Sequence, residues 1–319
     1  TIMKQSRRTF IARMAGAGIA LPLLSSSLSG RTIVQDVRYP VRLFSKPIDS
    51  YEFGFMCDCL VQSGIAGFDL TVRPGGKVEP SAVETDLPRL VEEAGKYNLL
   101  LDMMVTGILS ARDPMTEKIL KNASATGIKY YRLGWYDYEQ ESGIVQSINS
   151  CRNELEAIAG LNRKYGITGG YQNHSGTRVG GPVWDIDRLL EGFTPDVLGC
   201  QYDVRHASVE GANTWILGMN LIADHINSLA IKDFTWLIVN GRPEAVTVPL
   251  GEGIVKWDLF FSMVKRLNIS AAITLHVEYP LLSEAEESLT LLKKQEIIAG
   301  KLRKDMDFLR SYLVKYNLT

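Results

Sequence analysis

Cysteine, net charge and long apolar runs are all scarce in this 319-residue chain. The four cysteines are scattered, and the only close pair, Cys57 and Cys59, has a single residue between its members. That spacing suits neither a zinc-type Cys-x-x-Cys pair nor a disulfide framework, which leaves buried unpaired thiols as the reading. Lysine and arginine number 35 against 36 aspartates and glutamates, a formal charge of −1. With no long basic run interleaved with aromatics, nucleic acid is not an expected partner. No Gly-x-Gly-x-x-Gly follows the first predicted strand, so a dinucleotide site loses its main support and no nucleotide cofactor is expected. The one extended apolar stretch, near the amino end, is interrupted by Pro22 and is shorter than the ~20 residues that span a bilayer, so stable membrane insertion of the domain beyond it is not expected. What is present is 45% hydrophobic residues, enough for one large core, and ~250 residues is a common size for a single α/β barrel.

The apolar stretch lies in SRRTFIARMAGAGIALPLLSSSLSG, residues 6–30. Paired Arg7 and Arg8, Phe10 two places on, a short Gly/Ala-rich run and a small-residue exit at Ser27-Leu-Ser-Gly30 resemble a twin-arginine export signal, although Ala12 stands where such signals often carry lysine. An ordinary amphipathic helix is the alternative. The export reading predicts a signal over 1–30, one domain over 31–319, and a working place outside the cytoplasm, in the periplasm.

Beyond that segment, short β-branched or apolar runs alternate with longer runs of helical period about eight times. The pattern predicts strands over 41–44, 67–72, 99–105, 130–134, 168–173, 197–203, 228–234 and 271–278. Helical patterns cover 84–97, 115–126, 148–165, 185–192, 215–226 and 257–267, with a last one beyond Ser283. Eight βα units in one chain imply a closed (β/α)8 TIM barrel more readily than an open sheet. In such a barrel the reactive groups gather at the carboxyl ends of the strands. That rule selects Lys46, Asp69, Thr71, Arg73, Asp102, Arg132, Trp135, Gln172, Asn173, His174, Asp203, Arg205, His206, Lys232, Asp233, His276 and Glu278, with Asp203, Arg205 and His206 expected on the sixth strand.

Several of these residues stand in segments that together resemble the sugar phosphate isomerase/epimerase group of xylose-isomerase-like TIM barrels. The segments are Gly67-Phe-Asp-Leu-Thr-Val-Arg-Pro-Gly-Gly76 with Asp86-Leu-Pro88, Asp203-Val-Arg-His206, Ile231-Lys-Asp233, Pro249-Leu-Gly-Glu-Gly-Ile254 with Trp257, and Leu275-His-Val-Glu278. The resemblance implies one divalent cation (manganese, magnesium or zinc) held by four residues, which match Gln172, Asp203, Ala230 and Glu278 here. Two of the four depart from the group's pattern. Glutamine offers a carbonyl oxygen without charge, and alanine offers nothing. The expected ligand set is therefore reduced to Gln172, Asp203 and Glu278, completed by water, substrate oxygens, His174 or His206.

Gln172 also bears on mechanism, because an amide cannot be a general base. Related epimerases use two carboxylates on opposite faces of the sugar; here Glu278 is the one inherited carboxylate base. The chemistry left open is proton abstraction beside a sugar carbonyl, with Glu278 or His206 as base and Lys232, His174 or a cation stabilising the enolate. It would lead to isomerisation, epimerisation or elimination on a keto-glycoside. Arg73, Arg132, Trp135, His174 and Trp236 are the expected substrate contacts, with the aromatics suited to a sugar face. The partner is then a small-molecule carbohydrate. The alternative is a non-catalytic sugar-binding barrel with a degenerate metal site.

Overall fold

The computed structural model describes residues 39–318, so the export segment expected over 1–30 lies outside the described residues. The described chain runs β1 (Val41–Phe44), α1 (Phe53–Ser63), β2 (Gly67–Val72), α2 (Val83–Lys96), β3 (Leu100–Thr106), α3 (Pro114–Ala125), β4 (Tyr130–Arg132), α4 (Gly143–Tyr165) and β5 (Thr168–Gln172). It continues through α5 (Val183–Leu190), β6 (Leu198–Asp203), α6 (Val204–Gly211), α7 (Trp215–Leu221), β7 (Ile226–Ile231), β8 (Asp233–Val239), β9 (Arg242–Val248), α8 (Trp257–Arg266), β10 (Ala272–Leu275) and α9 (Leu291–Lys315).

Eight of the strands close into a parallel barrel in the order β1-β10-β7-β6-β5-β4-β3-β2. Helices cover its outer face, so strands such as β1, β2, β6 and β7 are buried along their whole length. The helices bury one stripe each; in α2 it is Val83, Leu87, Leu90 and Ala94, at helical spacing. Local signals start and stop them. Asp113 caps α3 by accepting from Met115 N at 2.9 Å with Pro114 in the first turn, and Gly166, at φ 62°, ends α4. All four cysteines are free and buried. Among the described residues no helix is long and apolar enough to cross a membrane.

The (β/α)8 barrel is the architecture the sequence predicts, with differences at the carboxyl rim where the site lies. The seventh strand stops at Ile231 and the eighth at Leu275, short of the expected 234 and 278. Helix α6 begins directly after Asp203, so Arg205 and His206 sit in a helical turn rather than on a strand. The loop after β7 carries an antiparallel hairpin, β8 and β9, turning at Asn240 and Gly241 with φ 52° and 77°. Asn-Gly between β-rich runs is the strongest short-range hairpin signal.

Asp233 sets this geometry. Its Oδ1 accepts from Phe234 N (2.9 Å) and Val255 N (3.1 Å), and its Oδ2 from Gly251 N (3.0 Å), Gly253 N (3.2 Å) and Trp257 Nε1 (2.9 Å). A Cβ on Gly253 would lie 2.2 Å from Asp233 Oδ1, so only glycine lets the loop wrap the carboxylate. Asp233, a rim candidate by sequence, is thus a structural anchor. Asp102 is another, held bidentately by Arg42 at 2.9 and 2.6 Å. Replacing Asp233 by alanine strands these donors, and chemical denaturation should show a loss of about 3 kcal/mol or more; unchanged stability would contradict the anchor.

Candidate active site

Because all eight barrel strands are parallel, their carboxyl ends share one rim, and four polar side chains from four segments converge there. Asp203 closes β6. Lys232 follows the end of β7, two residues after Ala230, which is the register neighbour of Asp203. His206 lies in the first turn of α6, and Glu278 lies three residues beyond β10.

The centre of the group is the Lys232 ammonium. Its Nζ is 2.7 Å from Glu278 Oε2, 2.8 Å from His206 Nε2 and 3.2 Å from Asp203 Oδ2. Hydrogen bonds to Glu278 and His206 and the ion pair with Asp203 compensate the burial of this lysine, which is only 3% exposed. The His206 ring sits among donors, with Nε2 facing the Lys232 ammonium and Nδ1 2.8 Å from Ser175 Oγ and 3.0 Å from Arg205 Nη1. Burial, then the neighbouring Lys232, push the His206 pKa well below the usual histidine range, so the ring is neutral. Arg205 donates to the same Ser175 Oγ (3.0 Å) and to Ala245 O (2.6 Å), tying β9 to the site.

A second tier positions the first. Asp203 Oδ1 accepts from His206 N at 3.0 Å and its Oδ2 from Gln172 Nε2 at 2.8 Å, while Asn173 clasps its backbone in both directions at 2.7 and 3.0 Å. Gln172 Oε1 in turn accepts from Arg132 Nη1 at 2.6 Å. The Arg132 guanidinium lies 4.1 Å from the Trp135 ring centroid, and Trp135 Nε1 donates to Gln172 O at 3.2 Å. The His174 ring is 4.7 Å from Trp135 and 3.9 Å from His206. Its Nδ1 donates to Ser175 O at 2.9 Å, which leaves Nε2 bearing a lone pair.

Asp203 is fully buried with both oxygens engaged, whereas the Glu278 side chain keeps 27% of its surface. Burial alone would raise the Glu278 pKa, but the Lys232 charge and hydrogen bond outweigh it and bring it to about 2.

The structure therefore brings together Gln172, His174, Asp203, His206, Lys232, Glu278, Arg132 and Trp135. Arg73 stands next to them, its guanidinium 5.8 Å from the Phe44 ring, itself stacked on His276 at 4.6 Å. With Lys46 and Asp49 it lines an open cavity of about 530 Å³. Trp236 is not brought in: it lies on β8, 47% exposed, in a separate groove of about 200 Å³ with Trp215 and Ile254. It lies on the hairpin that begins at Asp233, a two-stranded sheet apart from the barrel sheet. Ser175 and Phe44 were not singled out by sequence; nothing in a linear reading ties Ser175 to a histidine 31 residues away.

A family model described as xylose isomerase-like TIM barrel matches residues 61–295. The chain belongs to this family. Three solved structures show the same fold at low identity. D-Psicose 3-epimerase from Clostridium cellulolyticum H10, with D-tagatose, is 8% identical over 86% of this chain and 99% of its own, at TM-score 0.64. An E. coli 3-keto-D-glucoside 4-epimerase is 12% identical over 86% and 99%, at 0.60. A barrel from Mycobacterium smegmatis in complex with magnesium is 13% identical over 85% and 98%, at 0.58. No curated protein matches the sequence.

Within this xylose isomerase-like barrel, the cation expected at Gln172, Asp203 and Glu278 does not fit the residues present. Gln172 turns its carbonyl to Arg132 and its NH2 to Asp203, Ala230 supplies no donor atom, and the Lys232 ammonium lies between the two carboxylates. Among the described residues no group of three or more His, Cys, Asp or Glu side chains is placed to hold a metal. The ligand expectation is corrected on that ground.

Lys232→Met tests the electrostatics directly. With the ammonium gone, burial acts on Glu278 with its main opponent removed, and its pKa should climb from about 2 toward or above the ordinary 4.5, read by carboxyl ¹³C shifts against pH. In the native protein the folded value is the lower one, so Glu278's stabilisation is complete above about pH 4.5 and is lost as pH falls toward about 2; the variant should lose that acid-side dependence. An unmoved titration would contradict the assignment.

Proposed function

We propose that the protein is a carbohydrate enzyme that removes a proton from the carbon beside a sugar carbonyl. The observation that carries this reading is the 2.7 Å contact between the Lys232 ammonium and Glu278 Oε2 at the open end of the barrel. Enolate formation needs a base for the carbon-bound proton and a positive group for the charge that develops on oxygen. Glu278 is ionised, and its second oxygen has no partner among the described residues. It is the base. The positive charge of Lys232, beside Glu278, stabilises the charge that develops on oxygen.

His206 is a positioning residue in this scheme, because its one lone pair holds Lys232 and is not free for a substrate proton. His174 Nε2 is free, and can deliver or accept a second proton. Trp135, backed by the Arg132 guanidinium, offers its remaining face to a sugar ring. Asp203 has no free oxygen, so the symmetrical two-carboxylate epimerisation lacks its second base. A one-base route, either isomerisation or β-elimination from a keto-glycoside, is favoured. The names of the similar structures, a D-psicose and a 3-keto-D-glucoside epimerase, support a sugar as substrate class. With the export signal read over 1–30, glycosides outside the cytoplasm are the proposed substrates rather than phosphorylated metabolites.

The test is incubation of the full chain with ketoses and 3-keto-glycosides in D₂O, followed by proton NMR. Loss of the C–H signal beside the carbonyl is expected, with Glu278→Gln slowing it by ~10²- to 10⁴-fold. Tight glycoside binding with no exchange on any substrate would leave the non-catalytic sugar-binding barrel in its place.

A further inference from the structure

We propose that the substrate is a sugar acid, a uronate or a glycoside that carries one, and that its carboxylate binds between Lys46 and Arg73 in the cavity formed by the loops after β1 and β2. A sugar as ligand rests on the proposed reaction, while binding rather than turnover reads the carboxylate subsite, so the two fail separately.

The cavity holds about 530 Å³ and takes Lys46 and Asp49 from the first loop and Arg73, Gly75 and Gly76 from the second. Among the described residues neither cation forms an ion pair, and the Arg73 guanidinium rests 5.8 Å from the Phe44 ring. Asp49, the one carboxylate of the lining, is turned to the loops themselves: its Oδ2 accepts from Thr71 Oγ1 at 2.6 Å, and its Oδ1 is buried. Two cations against one carboxylate leave the lining one positive charge, which a single carboxylate complements and a phosphate, with a charge of roughly −1.5 to −2, exceeds. The turn amides that would cradle phosphate oxygens are engaged, Gly75 N with Glu79 Oε1 at 2.8 Å and Gly76 N with Arg73 O at 2.9 Å.

The two loops are fixed to each other before any ligand arrives. Thr71 Oγ1 accepts from Lys77 N at 2.7 Å, and Lys77 Nζ donates to Asp49 O at 3.2 Å and Tyr51 O at 2.5 Å. A Cβ on Gly76 would lie 2.9 Å from Thr71 Oγ1, so glycine lets the turn after Arg73 close on that hydroxyl. Such preorganisation lowers the cost of binding. Phe44 joins the cavity to the reaction site: the Arg73 and Arg132 guanidiniums lie 5.8 and 5.9 Å from its ring, and His276, two residues before Glu278, stacks on it at 4.6 Å. Against burial, Lys232 and, more weakly, Lys46 lower the Glu278 pKa, so the Lys46 charge acts at the base. A carboxylate held by Lys46 and Arg73 therefore sits beside the mouth in which Glu278 meets the sugar.

Calorimetric titration of the full chain with D-glucuronate and D-galacturonate, their neutral parents D-glucose and D-galactose, and D-glucose 6-phosphate tests this. At least one uronate should bind ~10-fold or more tightly than its parent, with an affinity that falls as salt rises, and Lys46→Gln and Arg73→Gln should each weaken it by ~10-fold. Both side chains reach solvent, so both variants should keep the native Tm; should Arg73→Gln not fold, Lys46→Gln and the salt dependence decide. Uronates bound no more tightly than their parents, or equally by native chain and folded variants, would overturn the proposal. Tighter binding of the 6-phosphate than of glucuronate would overturn it in favour of a phosphate. Uronate affinity that drops in the variants without any proton exchange in D₂O would support the subsite and remove the proposed reaction.

Discussion

The contacts of the buried Lys232 ammonium govern how the rest of the rim is built. A buried ammonium needs polar or charged partners, and here Glu278 and His206 accept its hydrogen bonds while Asp203 pairs with its charge, from three different segments. Each partner is then fixed by that demand. His206 turns Nε2 to Lys232 and Nδ1 to Ser175 and Arg205. Asp203 is buried, and Gln172, Asn173 and the first turn of α6 supply its hydrogen bonds. Glu278 alone keeps surface toward the mouth, and it alone is free to meet a substrate.

The distinction between neighbours in sequence follows from the same logic. Lys232 and Asp233 are adjacent and of opposite charge, which on a rim would read as one functional pair or one salt bridge. The structure separates them. Lys232 points into the barrel mouth, while Asp233 turns away to collect five N–H donors from the hairpin start, the Pro249–Ile254 loop and Trp257. Asp233 begins the hairpin and holds the loop that frames the Lys232 contacts.

Most of the barrel is legible from period alone, because strands covered on both faces and helices with one apolar stripe leave distinct patterns. Strands β1 and β2 fall where the pattern puts them. The misreadings share a physical cause: at the carboxyl rim, polar side chains end strands through contacts distant in sequence. Asp233, expected inside the seventh strand, instead anchors a loop some 20 residues on. Hydropathy carries no trace of that contact. Trp236 follows the expected end of the seventh strand at 234, but the hairpin that begins at Asp233 carries it elsewhere. The rim rule selects residues that converge at the carboxyl ends of the strands, and the contacts among them come only from the structure. That Gln172 and Ala230 depart from a metal-binding pattern is plain in the sequence; that Lys232 fills the space between Asp203 and Glu278 emerges only from the distances.

The account thus turns on what lies between Asp203 and Glu278. Diffraction from crystals grown in millimolar manganese, recorded for its anomalous signal, addresses that most directly. Continuous density from Lys232 to both carboxylates, with no anomalous peak between them, is the predicted result. A manganese peak bonded to Asp203 and Glu278, with the Lys232 side chain displaced from them, would contradict it.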